Sequence, residues 1–137
     1  MLLNSPAIAH GWEPLLTAVR NRASLLADVR ELVILRAAVR NRAGYEFDAH
    51  VPHALHAGVG DAAIAALREA GWSEVFYGAQ RQALRLTDAM TRDIDVPPAL
   101  FDAVRAHFDG QTLIDLTVTI AACNMVSRFL VALQVGH

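Results

Sequence analysis

Read for its apolar positions, the chain divides into segments of helical period, and no stretch alternates as a strand would. The clearest segment runs from about Ser24 to Arg42. There Leu25, Leu26, Val29, Leu32, Val33, Leu35 and Ala38 recur at three- and four-residue spacings, and Gly44 is placed to stop the helix. Ahead of it, Ser5 and Pro6 read as an N-cap and a first-position proline. Pro14 is expected to break or kink that first helix before Leu15 to Arg20 resume it. A third helix starts near Tyr45 and ends at Gly58 or Gly60. Asp61 then caps a short helix, Ala62 to Ala70, closed by Gly71. Ser73 and Glu74 open a longer helix toward Thr91, and Pro97-Pro98 starts another over Ala99 to Phe108. Asp109-Gly110 separates that one from a last helix over about Gln111 to Val135. The pattern predicts an all-α chain of about six or seven helices. No linker, low-complexity tract or repeat divides it, so residues 1–137 read as one domain.

Composition narrows what such a bundle can do. The chain is 54% hydrophobic but only 7% aromatic, so its core must be built from Leu, Val and its 25 alanines. All 12 basic residues are arginine, which excludes Schiff-base chemistry through lysine. Cys123 is the single cysteine, so the chain can form neither an internal disulfide nor a tetrathiolate zinc site. A formal charge of −2 gives no electrostatic footing for nucleic acid. Met1 to Gly11 has no positive n-region and no long apolar h-region, so it does not read as a secretory signal. The longest uncharged stretch, Leu116 to Ser127, is shorter than the roughly 20 residues a membrane span needs. A soluble cytoplasmic protein is expected. Its positive mean hydropathy, +0.29, suggests apolar surface buried between copies, and so a homo-oligomer.

Candidate chemistry concentrates between Glu31 and Gly58. Glu46 and His50 stand four residues apart on one helix and project from one face, a workable proton-transfer pair. Glu31 has Ile34, Leu35 and Ala38 as helical neighbours, which places it on an apolar face, where a buried carboxyl would have a raised pKa. The same residues also fit ordinary roles. Asp28 and Glu31 suit a variant capping arrangement, and a Glu–His pair at this spacing stabilises any helix. The triplet His50, His53 and His56 invites a metal reading, with Glu46, His50 and His53 as a ligand set; Pro52 inside the triplet argues against it. His10, His107 and His137 read as surface residues. Tyr45, Phe47, Trp72, Phe76 and Tyr77 read as core or interface packing, or as the wall of a small pocket. Arg128, set among Met125, Val126, Phe129 and Leu130, would be costly to bury unpaired; it is expected either to meet Glu31, Glu46 or an anionic substrate, or to form a surface or interface salt bridge.

The run Arg30-Glu31-Leu32, then Tyr45-Glu46-Phe47, then His50, resembles the carboxymuconolactone decarboxylase family of the alkylhydroperoxidase D-like superfamily. Ser5-Pro6, Ala57-Gly58, and Asn124 with Arg128 extend the resemblance over nearly the whole chain. It implies an alkylhydroperoxidase D-like helical bundle that self-associates as a dimer, trimer or hexamer. The peroxidase branch carries Cys-x-x-Cys-x-x-x-His with a glutamate twelve residues before the first cysteine. On this chain the glutamate falls on Glu31 and the histidine on His50, while Ala43 and Glu46 occupy the cysteine positions. Reducing a hydroperoxide by that route needs an attacking thiolate and a resolving thiol, and neither residue supplies one. The resemblance therefore implies an enzyme of carboxymuconolactone decarboxylase type, without cofactor or metal, acting on a small organic acid or lactone. Glu31, Glu46 and His50 are its expected catalytic residues, and Tyr45 and Arg128 its expected substrate contacts. A hydroperoxidase and a non-catalytic binding or assembly protein of the same fold are the alternatives. No nucleic-acid or membrane partner is expected.

Overall fold

Eight consecutive residues, Glu31 to Ala38, are buried, and the remaining helices are laid around them. The computed structural model describes residues 1–136, so the expectation for His137 lies outside the described residues. Among these the chain forms α1 (Pro6–Thr17), α2 (Ala27–Arg40), α3 (Gly44–His56), α4 (Asp61–Ala66), α5 (Gly78–Asp88), α6 (Pro98–Arg105) and α7 (Gly110–Ala132). No strand occurs among the described residues, as the apolar spacing predicts.

Helix α2 is central because it is apolar on more than one side. One side sets Leu32 and Leu35 against Phe47 and Ala54 of α3, and against Leu67, Trp72 and Phe76. Another sets Val29 and Val33 against Leu86 of α5, Val104 of α6, and Leu116 and Ile120 of α7. Leu32, Val33 and Leu35 are at most 1% exposed, so each contributes about 1.5–3 kcal/mol of burial. Helix α7 has the length and composition of a membrane span. Here it serves as a core helix, with Leu116, Ile120 and Cys123 packed inward and Asp115 held by the Ser24 hydroxyl at 2.7 Å.

Several helix ends differ from the sequence expectation, each for a local reason. Arg42, not Gly44, takes the left-handed conformation that closes α2, with φ 57°. The Ala43 N–H bonds the Ala38 carbonyl at 2.8 Å, which completes the terminal loop and frees Gly44 to begin α3. At the other end of α3, Gly58 at φ 90° makes the corresponding turn, with Val59 N–H on the Ala54 carbonyl at 3.0 Å. Pro14 does not break α1. The one carbonyl it leaves free belongs to exposed His10, where water can serve it. Beyond Thr17 the chain widens into a π-helical turn, Ala18–Arg22. The helix expected from Ser73 begins only at Gly78, because Trp72 and Phe76 are both pinned in the core and Arg81 Nε bonds the Ser73 carbonyl at 2.7 Å.

Arg36, near the end of α2, is a buried cation: it is 4% exposed, with Nε and Nη2 on the two oxygens of Asp88 at 2.7 and 2.8 Å. Its Nη1 donates to the Leu67 carbonyl, and its guanidinium lies over Trp72 at 4.8 Å. This one side chain ties α2 to α5 and to the segment after α4.

Candidate active site

The site forms where α2, α3 and α7 meet beside the π-helical turn. Glu46 and His50 share a face of α3, and Cys123 and Ser127 share a face of α7 by the same four-residue spacing. Glu31 enters from α2. Its Oε2 lies 3.2 Å from His50 Nδ1, and Glu31 itself is 4% exposed. Glu46 is 5% exposed and accepts a short hydrogen bond from the Ser127 hydroxyl. Burial pushes the Glu46 carboxyl above the usual carboxylate range. The Ser127 hydroxyl, His50 and the Arg20 guanidinium oppose that shift without cancelling it.

Glu46, His50 and Cys123 line one small cavity of about 20 Å³, walled by Leu16, Val19 and Ile34 and bordered by Arg20. That volume holds about one water molecule. Burial pushes the Cys123 thiol up, and the carboxyls of Glu46 and Glu31 push it further, so the thiol stays protonated. The arrangement brings together a carboxyl whose pKa burial raises, an imidazole in contact with a second carboxyl, and an unreactive thiol. It can move protons and has no ready nucleophile.

Three of the five residues singled out from the sequence, Glu31, Glu46 and His50, thus converge. Two do not. Tyr45 is 55% exposed beside a surface groove formed with Asp48, Leu130 and Val135. Arg128 is exposed and hydrogen-bonds the Asn41 side chain at 3.2 Å and the Thr91 carbonyl at 3.4 Å, not Glu31 or Glu46. Asn124 joins it in that network through Asn41 and Thr91. His53 and His56 are exposed, and His53 lies ring to ring with His50 at 5.4 Å. Among the described residues, no three of His, Cys, Asp and Glu are grouped as a metal ion would need.

Arg20 and Ser127 are not among the residues singled out from the sequence, and Cys123 enters there only through the disulfide and zinc site it excludes. A signal for two of these existed: Thr119, Cys123 and Ser127 form a small polar stripe at four-residue spacing through the most apolar helix. All three are buried. Nothing around Arg20 in the sequence points inward.

Helices wrapped on a central α2, with a glutamate–histidine pair between α2 and α3, define an alkylhydroperoxidase D-like protein. Residues 6–89 match the model of the carboxymuconolactone decarboxylase family, and the chain belongs to that family. Among solved structures it is similar to a protein of unknown function from Agrobacterium tumefaciens with a proposed assignment as the antioxidant defence protein AhpD. The two share 27% identity over 99% of this chain and 94% of that one, with a TM-score of 0.90. An uncharacterised peroxidase-related protein from a Silicibacter species shares the fold at 18% identity and TM-score 0.81, over 93% of this chain and 69% of that one. So does an alanine-for-cysteine variant of the debrominase Bmp8 in complex with 2,3,4-tribromopyrrole. It matches at 17% identity and TM-score 0.82, over 97% of this chain and 72% of that one. Among curated proteins none matches the chain.

Proposed function

We propose that the protein is an acid/base enzyme of carboxymuconolactone decarboxylase type, acting on a small organic acid or lactone. The observation that carries this reading is the Glu31–His50 contact at 3.2 Å, beside a second buried carboxyl on the same cavity. An ionised Glu31 accepts the Nδ1 proton of His50 and stabilises the imidazolium, which leaves Nε2 as the working nitrogen. Glu46, its pKa raised by burial, is suited to donate its own proton at one position of the substrate while His50 takes a proton from another; transfer from the imidazolium back to the Glu46 carboxylate then resets the pair. An imidazole and a carboxyl on one cavity can relocate a proton on a carbon skeleton or protonate the carbanion left by decarboxylation.

The test is deuterium incorporation and carbon dioxide release across a panel of lactones and β,γ-unsaturated acids. His50→Ala and Glu31→Gln should each abolish turnover while circular dichroism shows the helices intact. Retained activity in the His50 variant overturns the assignment.

One observation favours a second reading: Cys123 lines the same cavity as Glu46 and His50, and two of the structural neighbours carry antioxidant or peroxidase descriptions. A one-cysteine hydroperoxidase would need a thiolate there, which burial and two neighbouring carboxyls oppose. Peroxide reduction that disappears in Cys123→Ser would establish it. We further propose that the protein works as a cytoplasmic homo-oligomer. Exposed apolar residues on α1 and α7, among them Ile8, Leu15, Ile114 and Val118, support that part.

A further inference from the structure

The cavity between Glu46, His50 and Cys123 is too small for any organic substrate, yet its wall is shared with a larger space. Leu16, Arg20 and Val126 border the cavity on one side. On the other they border an open groove of about 440 Å³, formed with Trp12, Thr17 and Phe129 and with Glu13, whose carboxyl accepts from the Thr17 hydroxyl at 3.4 Å. That volume suits a small molecule. Trp12 and Phe129 lie with ring centroids 5.0 Å apart and give the groove an aromatic wall.

Arg20 stands at the junction. It sits in the π-helical turn Ala18–Arg22, a wide turn of the kind that recurs at functional sites. Among the described residues Arg20 makes no hydrogen bond and no ion pair, while Arg36, Arg81, Arg92 and Arg128 are all engaged. Its guanidinium is exposed to the groove and close enough to Glu46 to act on its ionisation. A free, forked cation beside an aromatic wall is built to hold a planar carboxylate.

We propose that this groove is the substrate entrance, and that Arg20 is a positioning residue. It would take the carboxylate of a planar acid and aim the rest of the molecule past Leu16 and Val126 toward His50. The inference rests on the proton-transfer reading for the destination of the ligand, but not for the groove itself. It also gives Arg20 the anion-holding role that the sequence suggested for Arg128.

The test separates binding from turnover by using benzoate and its uncharged analogue benzamide, followed by calorimetry and by nuclear Overhauser contacts to the Trp12 indole. Benzoate should bind at least about tenfold more tightly than benzamide, and Arg20→Gln should erase that difference. Arg20→Lys should restore part of it, and rising salt should weaken benzoate alone. His50→Gln should leave benzoate binding in place. Absence of benzoate binding, equal binding of benzamide, or an Arg20→Gln variant that still prefers benzoate overturns the proposal. So does sedimentation showing that a second copy covers the groove and excludes benzoate. If Arg20-dependent binding is found but no acid or lactone turns over, the groove stands and the catalytic reading fails. Turnover without Arg20-dependent binding gives the reverse.

Discussion

Glu46→Gln tests the central electrostatic claim without disturbing packing. The amide has the shape of the carboxyl and can still accept the hydroxyl hydrogen of Ser127, so what changes is the ability to ionise. In the native protein burial raises the Glu46 pKa above that of the unfolded chain. Between those two values the folded state binds more protons than the unfolded one, so stability must fall as pH rises through the window. The decline for one group is at most about 1.4 kcal/mol per pH unit, beginning near the ordinary glutamate value of about 4.3 and ending above the raised native one. For 137 residues, unfolding entropy at the midpoint is about 0.29 kcal/mol/K, so each such unit corresponds to about 5 °C in Tm. Calorimetric melts of wild type and Glu46→Gln, at one fixed protein concentration from pH 4 to 8, isolate the contribution. The wild-type Tm should drop relative to the variant as pH rises, then level off. A difference that stays flat means Glu46 ionises as it does in water. A difference that climbs with pH means Arg20 and His50 outweigh burial and the carboxyl is a stable anion. Either result refutes the argument that Glu46 is held ready as an acid.

Two further outcomes follow from the packing. Asp88→Ala leaves the Arg36 guanidinium buried without its partner and should cost about 3–5 kcal/mol in urea denaturation, whereas Arg36→Met with Asp88→Leu should recover most of that loss. A loss below about 1 kcal/mol would place the pair among solvent-screened surface bridges. Native Cys123 should react with Ellman's reagent about a hundredfold or more slower than the same thiol in urea, because it is 6% exposed and its pKa is raised. Rapid labelling of the folded protein would restore the thiol to consideration as a nucleophile.

The helices and the Glu46–His50 pair were legible because both rest on short-range spacing, whereas Glu31 was tied to His50 only through the family resemblance, across 19 residues of chain. A four-residue offset puts two side chains on one face whatever the tertiary fold, and an apolar face must be covered by something. What stayed hidden depends on which helix covers it. Arg128 looks apolar-bound in the sequence, yet the rotation of α7 turns Cys123 and Ser127 inward and leaves Arg128 exposed, bonded to Asn41 and the Thr91 carbonyl. Tyr45 adjoins Glu46 in the chain, but successive helical residues diverge by about 100°, and Tyr45 ends up exposed. Arg20 and His50 are far apart in sequence, and only the packing of the turn after α1 brings them to one cavity. Local chemistry at the helix ends also went against expectation, since Arg42 adopts a conformation that glycine would have taken at lower cost.

The replacement of a thiol position by Glu46 has a physical consequence beyond the loss of sulfur. A thiolate in this pocket would need a positive environment, and the pocket is set the other way: an apolar wall and two carboxyls raise the Cys123 pKa, and the Arg20 guanidinium, which acts in the opposite direction, does not cancel them. The same apolar wall that silences a thiol makes a carboxyl hold its proton at higher pH, because burial disfavours the charged form of both groups. For a thiol that means loss of the reactive species. For a carboxyl it means a proton retained to higher pH, beside an imidazole that Glu31 meets at 3.2 Å. One environment therefore works against redox chemistry and in favour of proton transfer. A cysteine returned at position 46 would meet the same burial and, with Ala43 at the other thiol position, would have no resolving partner, so that substitution alone should not generate peroxide reduction.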